Sequence, residues 1–283
     1  MTANERERIE LLAVELATLA GAQIVAAMSR SLTVRYKGPQ GLFRDPVSEV
    51  DSGVEVLIRT RLAAEYPTHD ILGEEILDRP GNSHDIVWAI DPVDGTSNFV
   101  NGFPLFCATI GVLARGRPVV GATWCSTSHL LRPGVYHASV GSPLRFDGQP
   151  VVHPINPSLR RRLAGEPSPS VRNAPWDMRK TGSAAIECAF AAVGLLQFAR
   201  FAAPNIWDVA GGLALARAAG RAIRVREGGR WREFEGFGRG TDPEAIEVMR
   251  DWRQPLIVGE PAAIAEALRL QAQDQAPMEE DPK

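Results

Sequence analysis

Through the opening of the chain, apolar residues return to one side at helical spacing. Ile9, Leu12, Val14, Leu16, Leu19, Ile24 and Ala27 keep a wide face apolar, which predicts a helix over about residues 4–29. Glu15, Thr18 and Gln23 interrupt the stretch and ERERIE precedes it, so it reads as neither a secretory signal nor a membrane span. A second helix is predicted from Asp51 to about Glu65, where Val54, Leu57, Ile58 and Leu62 recur before Tyr66-Pro67 ends it. Between the two, SLTVRYKGPQGLFRDPVSEVD mixes polar residues with Gly and Pro and reads as a loop or irregular hairpin.

The period then shortens. HDILGEE and HDIVWAIDP are short apolar runs, read as buried strands whose carboxy ends carry acids. FCATIGVLARGRPVVGATWCST contains a turn at Gly116-Arg117; RPGVYHASVG follows, then RFDGQPVV with its Asp147-Gly148 hairpin signal. Consecutive strands joined by tight turns imply an antiparallel sheet. From Ile155 to Pro175 the chain is rich in Pro, Ser and Arg, a plausible domain junction. Beyond it the pattern alternates: GSAAIECAFAAVGLL as helix, FARFAA as strand, WDVAGGLALARAAG as a helix stopped at Gly220. AIRVREGG and WREFEG read as strands, followed by the apolar run LIVG and a last helix, PAAIAEALRL. The expectation is an antiparallel-sheet α+β half over 1–150, a smaller α/β half over 151–270, and a polar, disordered tail over 271–283.

Composition narrows the classes. An apolar share of 45% and a charged share of 23% in 283 residues suit an ordinary globular chain with a sizeable core. A net charge of −3 gives no long-range pull toward nucleic acid or anionic lipid, so neither partner is expected. The run Arg160-Arg161-Arg162 reads as a solvated face. Cys107, Cys125 and Cys188 lie in apolar contexts without a CxxC pair, which suits a reducing cytoplasm and argues against a disulfide framework or zinc knuckle. His69, His84, His129, His137 and His153 form no metal-ligand spacing and read as structural or exposed, His69 and His84 in loops.

The candidate chemistry lies in the acids. DPVDGT by itself is a turn pattern, since Gly supplies positive φ and Asp bonds its own backbone. Its company changes the reading: Glu74-Glu75 also ends an apolar strand, and Asp51 and Asp208 open helices. Helix first turns favour Asp for the macrodipole alone, so each acid has an ordinary explanation. Together they stand where side chains converge on a crevice in mixed α/β folds. Were Glu74, Asp91, Asp94 and Asp208 to converge, their mutual repulsion would demand a cation. The motifs hold no Lys or Arg, and oxygen-only ligands select Mg²⁺, Mn²⁺ or Ca²⁺ over zinc. Gly95-Thr96-Ser97 follows at a predicted helix start, where free N–H groups suit phosphate oxygens. No Walker motif and no GxGxxG is present.

Phosphate hydrolysis then has two routes. An aspartate nucleophile in a D-x-D-G-T pattern needs acids two apart, on one strand face; here they are three apart across a proline, which calls for a turn. The other route uses a metal-activated water, with Thr96 relaying a proton to Asp51. The spacing favours the second.

The GEE strand end, DPVDGTSNFVNGFP and WDVAGG, in that order, resemble the inositol monophosphatase family of Mg²⁺-dependent, lithium-sensitive phosphomonoesterases. The resemblance spans about residues 5 to 265, with PVSEVDSGVE matching the segment of the water-activating Asp and TGSAA the substrate loop. It implies a layered αβαβα sandwich of the inositol monophosphatase and fructose-1,6-bisphosphatase type, usually a homodimer. By the same resemblance, Glu74, Asp91 and the Val93 carbonyl hold a first metal; Asp91, Asp94 and Asp208 hold a second. Two or three Mg²⁺ are implied, with Mn²⁺ as substitute and Ca²⁺ or Li⁺ as inhibitors. Thr96, Asp51 and Glu74 form the implied catalytic set. Gly95, Thr96 and Ser97 seat the phosphate, while Gly182, Ser183, Ala184, Phe201 and Asp208 face the substrate.

The match departs at Phe201, which stands where inositol-preferring members carry a glutamate that contacts sugar hydroxyls. A phenyl ring accepts no hydroxyl hydrogen bond, so either inositol phosphate is not the natural substrate or Phe201 packs in the core and another group serves. DGTSN also differs from the DGTKE of relatives acting on 3′-phosphoadenosine 5′-phosphate. The loop from Lys37 to Asp51 is longer than in the inositol type, which adds Lys37 as a candidate. A small phosphate monoester, inositol-1-phosphate-like or of a sugar or polyol, is the expected substrate. The alternatives are a nucleotide 3′-phosphate, fructose 1,6-bisphosphate or histidinol phosphate, or a catalytically silent metal-binding regulatory protein.

Overall fold

The computed structural model describes residues 1–37, 46–77, 83–154, 156–166, 174–238 and 243–274. The predicted loop after Lys37 (38–45), most of the predicted junction core (155, 167–173) and 275–283 of the predicted tail lie outside them. The elements run α1 (Ala3–Ala27), β1 (Val34–Tyr36), β2 (Pro46–Ser48), α2 (Glu49–Glu65), β3 (His69–Gly73), β4 (Ser83–Asp94) and α3 (Thr96–Val100). There follow β5 (Cys107–Ala114), β6 (Arg117–Cys125), β7 (Gly134–Ser139), β8 (Arg145–Phe146), β9 (Gln149–Pro150), β10 (Arg162–Gly165) and β11 (Trp176–Arg179). The remainder is α4 (Ala184–Val193), β12 (Phe198–Phe201), α5 (Ile206–Ala218), β13 (Ala222–Glu227), β14 (Arg230–Glu233), α6 (Pro243–Arg250), β15 (Leu256–Gly259) and α7 (Pro261–Asp274).

These elements stack in five layers. The larger sheet has the order β3-β4-β5-β6-β7-β8-β9, the smaller β11-β10-β12-β15-β13-β14. Alternate residues of β4 divide between two cores, as strand pleating requires. Trp88 and Ile90 join Ile9, Leu16 and Ile24 of α1 and Val54 and Ile58 of α2 on one face. Val87 and Ala89 join Ala185 and Ala189 of α4 and Val209 and Leu213 of α5 on the other. That second core also takes in Ala199, Leu256 and Val258, so α4 and α5 are sandwiched between the two sheets. Ile264 and Ala267 of α7 cover the far face of the smaller sheet with Phe198 and Ile257.

The α1 helix is long and apolar enough to cross a membrane by length and composition alone, and half of its most apolar window is buried against the rest of the fold. Glu10 fastens it: its carboxylate lies 2.7 Å from His137 Nδ1 on β7. Burial pushes the Glu10 carboxyl up, but hydrogen bonds from His137 and Ser139 and the charges of His137 and Arg145 hold it below the usual range.

Several expectations are corrected. β3 pairs with β4 in parallel, so the larger sheet is not wholly antiparallel. The first hairpin turns at Arg115-Gly116, one residue earlier than predicted, with both residues at positive φ, as at Asp147-Gly148. The predicted junction contains β10, and Arg162 there pairs with Glu260 at 3.1 Å rather than facing solvent freely. Residues 271–274 belong to α7, not to the tail. His69 opens β3, stacked on Tyr66, and His84 lies within β4; neither is in a loop. The strands β10 and β11 and the helix α6 were not anticipated, each being too short or too polar to show a period.

Candidate active site

The acid spacing of DPVDGT has a structural answer. β4 runs unbroken through Asp94, and its register against β5 shifts so that Asp91 faces Thr109 while Asp94 faces Cys107. Three steps on one strand therefore match two on the other. This bulge brings both acids to one face, where simple alternation would have parted them. The expectation of a turn is corrected to a bulged strand.

That face looks at the start of α5. Gly211 makes the approach possible: a Cβ there would stand 2.5 Å from Thr109 Oγ1 and 3.0 Å from the Ile110 carbonyl. Gly111 and Gly121 of the sheet are likewise pressed against Ala210 and Gly211, and Gly212 against Cys188 of α4. The small residues of WDVAGG thus seat α5 between sheet and helix, and the seating carries Asp208 to Asp91 and Asp94.

Each acid also does the ordinary structural work of its position. Asp208 closes a capping box with Asn205, accepting its N–H at 2.8 Å and its side-chain amide at 3.0 Å. Asp51 does the same for α2, its Oδ2 accepting Ser48 N–H at 2.9 Å and the Ser48 hydroxyl at 2.6 Å. Its other oxygen, Oδ1, lies 2.9 Å from Thr96 Oγ1, which is also 2.8 Å from the Val93 carbonyl. Asp91 Oδ1 accepts the Val93 N–H at 3.0 Å. Asp94 Oδ2 receives Ser183 Oγ and Ala185 N–H, both at 2.6 Å. At Asp51, cap and site are served by different oxygens of one carboxylate.

Asp91, Asp94, Asp208 and Glu74 lie close enough to act on one another's charge. Burial, then the charges of Glu74, Asp94 and Asp208 and a hydrogen bond with Glu74, push Asp91 well above the ordinary carboxyl range. Burial pushes Asp94 up to about 6 against the opposing bonds from Ser183 and Ala185, with Glu74 adding to the rise. Burial and the charge of Asp94 push Asp208 up to about 8. Burial also raises Asp51, despite the bonds from Ser48 and Thr96. Three carboxyls, Asp91, Asp94 and Asp208, that resist ionising in one another's company are what an all-oxygen cation site needs, so the residues present fit a hard divalent ion. Among the described residues, no three acids, histidines or cysteines already stand in ligating arrangement. Each is engaged by the chain instead.

The candidate Lys37, outside the motifs, reaches the acids. Lys37 Nζ donates to Glu74 Oε1 at 2.8 Å and to Glu75 Oε1 at 2.6 Å. Burial lowers the Lys37 ammonium, but those two glutamates outweigh it and hold the pKa above the usual lysine value.

Gly95 caps α3 in the left-handed region, φ 86°, with no side-chain cap, and Thr96 and Ser97 form the first turn. Gly182 is exposed, Ser183 caps α4 and Ala184 is half-buried at its first turn. Phe201 is 7% exposed and packs in the core shared with Ile206 and Trp207. Three supporting residues escaped the sequence reading. Asn98 donates to the carbonyls of Leu105 and Thr181 at 2.6 and 2.8 Å, tying the DGTSN segment to the 181–183 loop. Glu187 accepts from Thr181 N–H at 3.0 Å and from its hydroxyl at 2.9 Å, and burial pushes it up to about 7. Glu55 holds the segment after Gly73. No local signal marks such residues; Glu55, in a helix of mixed polarity, reads as surface.

A layered αβαβα chain with an all-oxygen acid cluster beside a threonine–aspartate pair is built as a phosphomonoesterase. Residues 5–276 match the inositol monophosphatase family profile, and the chain belongs to that family. It is 31% identical over 265 residues to "Inositol-1-monophosphatase ImpA" of Mycolicibacterium smegmatis, covering 86% of this chain and 92% of that protein. With "Phosphatase IMPL1, chloroplastic" of Arabidopsis thaliana it shares 28% identity over 245 residues, 78% of this chain and 64% of that protein's length. The crystal structure of extragenic suppressor protein suhB from Bartonella henselae superposes with a TM-score of 0.73 at 23% identity, covering 96% of this chain and 100% of that one. That last likeness is one of fold.

Proposed function

We propose that the chain hydrolyses the phosphate monoester of a small sugar or polyol, with Mg²⁺ as cofactor. What supports this is the mutual influence of the buried Asp91, Asp94 and Asp208 and of Glu74, together with the 2.9 Å Thr96–Asp51 hydrogen bond. Glu74, Asp91 and the Val93 carbonyl would hold one ion, and Asp91, Asp94 and Asp208 another. When bound, the ions acidify a water and offset the charge of the phosphoryl group.

The chain's own groups move the proton. Thr96 Oγ1 gives its hydrogen to Asp51 Oδ1 and presents a lone pair to the attacking water. Asp51 is neutralised by that proton: burial raises its pKa and so favours the protonated form, while the two Ser48 donors hold its far oxygen in place. Phosphate oxygens meet the N–H groups of Gly95, Thr96 and Ser97, and the leaving alcohol lies toward Gly182, Ser183 and Ala184. Asn98 keeps those two segments together.

The relative ImpA is named for inositol 1-phosphate, yet Phe201 replaces the hydroxyl-contacting acid with a buried ring. Because that ring packs in the core, another group would contact the substrate's hydroxyls, and inositol 1-phosphate stands beside other sugar and polyol monophosphates as substrate. The same reading includes two or three Mg²⁺, replacement by Mn²⁺, inhibition by Ca²⁺ and Li⁺, a homodimer, and a cytoplasmic location supported by three free buried cysteines.

The test is phosphate release from sugar, polyol and nucleotide monophosphates, fructose 1,6-bisphosphate and histidinol phosphate, with and without Mg²⁺. Mg²⁺-dependent turnover that Asp94→Asn abolishes in a folded protein is expected. Undiminished turnover in that variant would refute the acid cluster's role.

A further inference from the structure

Asp51 and Glu55 stand one turn apart on α2, and each reaches a different wall of the acid pocket. Asp51 turns to Thr96. Glu55 turns to the segment that carries Glu74, and it is 0% exposed, a rare place for a carboxylate. Its Oε2 accepts the Glu75 N–H at 2.8 Å. Its Oε1 accepts the Ile76 N–H at 3.2 Å and Arg59 Nε at 2.8 Å. Arg59 reaches past it and donates to the Ile76 carbonyl at 2.6 Å. Gly73 makes the room, since a Cβ there would overlap the Glu55 carboxylate.

The consequence concerns Glu74. β3 ends at Gly73, and beyond the bond from Glu74 N–H to the Ile90 carbonyl, at 3.2 Å, the next residues are gripped by Glu55 and Arg59. One helix therefore sets both the proton relay and the acid that meets Asp91. A buried charge serving two backbone donors is costly to remove and exact in where it puts them.

We propose that Glu55, together with Arg59, is a positioning residue that fixes Glu74 for the divalent cation and registers it against the Thr96–Asp51 pair. The inference rests on the proposed function in one respect, that Glu74 is a cation ligand. Glu55 touches neither ion nor substrate; it acts by denying the Glu74 segment other conformations.

The experiment is calorimetric Mn²⁺ binding with amide hydrogen exchange on the full chain and three variants. Glu55→Gln removes the charge at nearly equal shape. Arg59→Lys keeps charge but loses the fork that reaches Ile76. Leu62→Ala, 1% exposed on the same helix and outside these bonds, is the packing control. Glu55→Gln and Arg59→Lys are expected to weaken Mn²⁺ about tenfold or more, with faster exchange at Glu75 and Ile76, while Leu62→Ala stays within about twofold. If Glu55→Gln does not fold, Arg59→Lys decides. Unchanged affinity in a folded variant, or an equal loss in Leu62→Ala, overturns the positioning role. Failure of the unaltered chain to bind Mn²⁺ overturns the cation reading of Glu74 itself, and the positioning role falls with it.

Discussion

Thr96 Oγ1 lies 2.9 Å from Asp51 Oδ1, joining the first turns of two helices that belong to separate stretches of chain. Because Ser48 occupies the other Asp51 oxygen, the carboxylate is held with one face directed at the hydroxyl. A pair fixed in this way can pass a proton without rearranging.

Replacing the hydroxyl tests the pair. Thr96→Val keeps volume and branching but removes the relay, and kcat is expected to fall by about a hundredfold or more with melting little changed. Thr96→Ser should retain most of the activity. Steady-state kinetics beside thermal melts decide it; equal losses in both variants would mean that packing, not the hydroxyl, matters.

The acid pocket predicts an unusual response to pH. Burial and mutual charge raise Asp94 to about 6 and Asp208 to about 8, from an ordinary 3.8, and raise Asp91 as well. In chelator, the native state keeps protons that the unfolded chain has released, so stability falls as pH rises from 3.8 through about 8. Mg²⁺ at pH 8 should restore the melting temperature by binding the native state alone. A melting temperature that climbs across this window in chelator would contradict the shared pocket.

Lys37 is a cation already resting on Glu74 and Glu75. Lys37→Met should therefore tighten Mn²⁺ binding by roughly tenfold, by removing a competing positive charge. In chelator the same variant should melt earlier, since two glutamates lose their partner. Calorimetry and melting read the two effects, and an unchanged affinity would show that ammonium and ion do not compete.

Gly211→Ala tests the seating of α5. A methyl there meets Thr109 and Ile110, so about 1–3 kcal/mol of stability should be lost. Activity should fall further than stability alone explains, because any outward shift of α5 carries Asp208 with it. Denaturant melts and turnover at saturating Mg²⁺ separate the two losses.

Much of the site was legible because its chemistry is written in local signals. Glu74, Asp91, Asp94, Asp51 and Asp208 each end a strand or open a helix, and strand and helix periods mark those places. The same signals hid a second role, since Asp51 and Asp208 are capping residues as well as pocket acids. Lys37 was a candidate only by loop length, and its partners lie across the fold. Glu55, Glu187 and Asn98 were not legible at all, because a hydrogen bond to a distant backbone leaves no periodicity behind.

The sequence by itself determined the elements, the acid inventory and the hardness of the ion those oxygens would accept, because each depends on residue type and near neighbours. Only the tertiary structure decided that Asp91 and Asp94 share a face, that α5 comes close enough to add Asp208, and that Phe201 turns into the core. A one-residue bulge and three facing glycines do the first two, and their effect is measured in distances between strands and helices that no local pattern encodes.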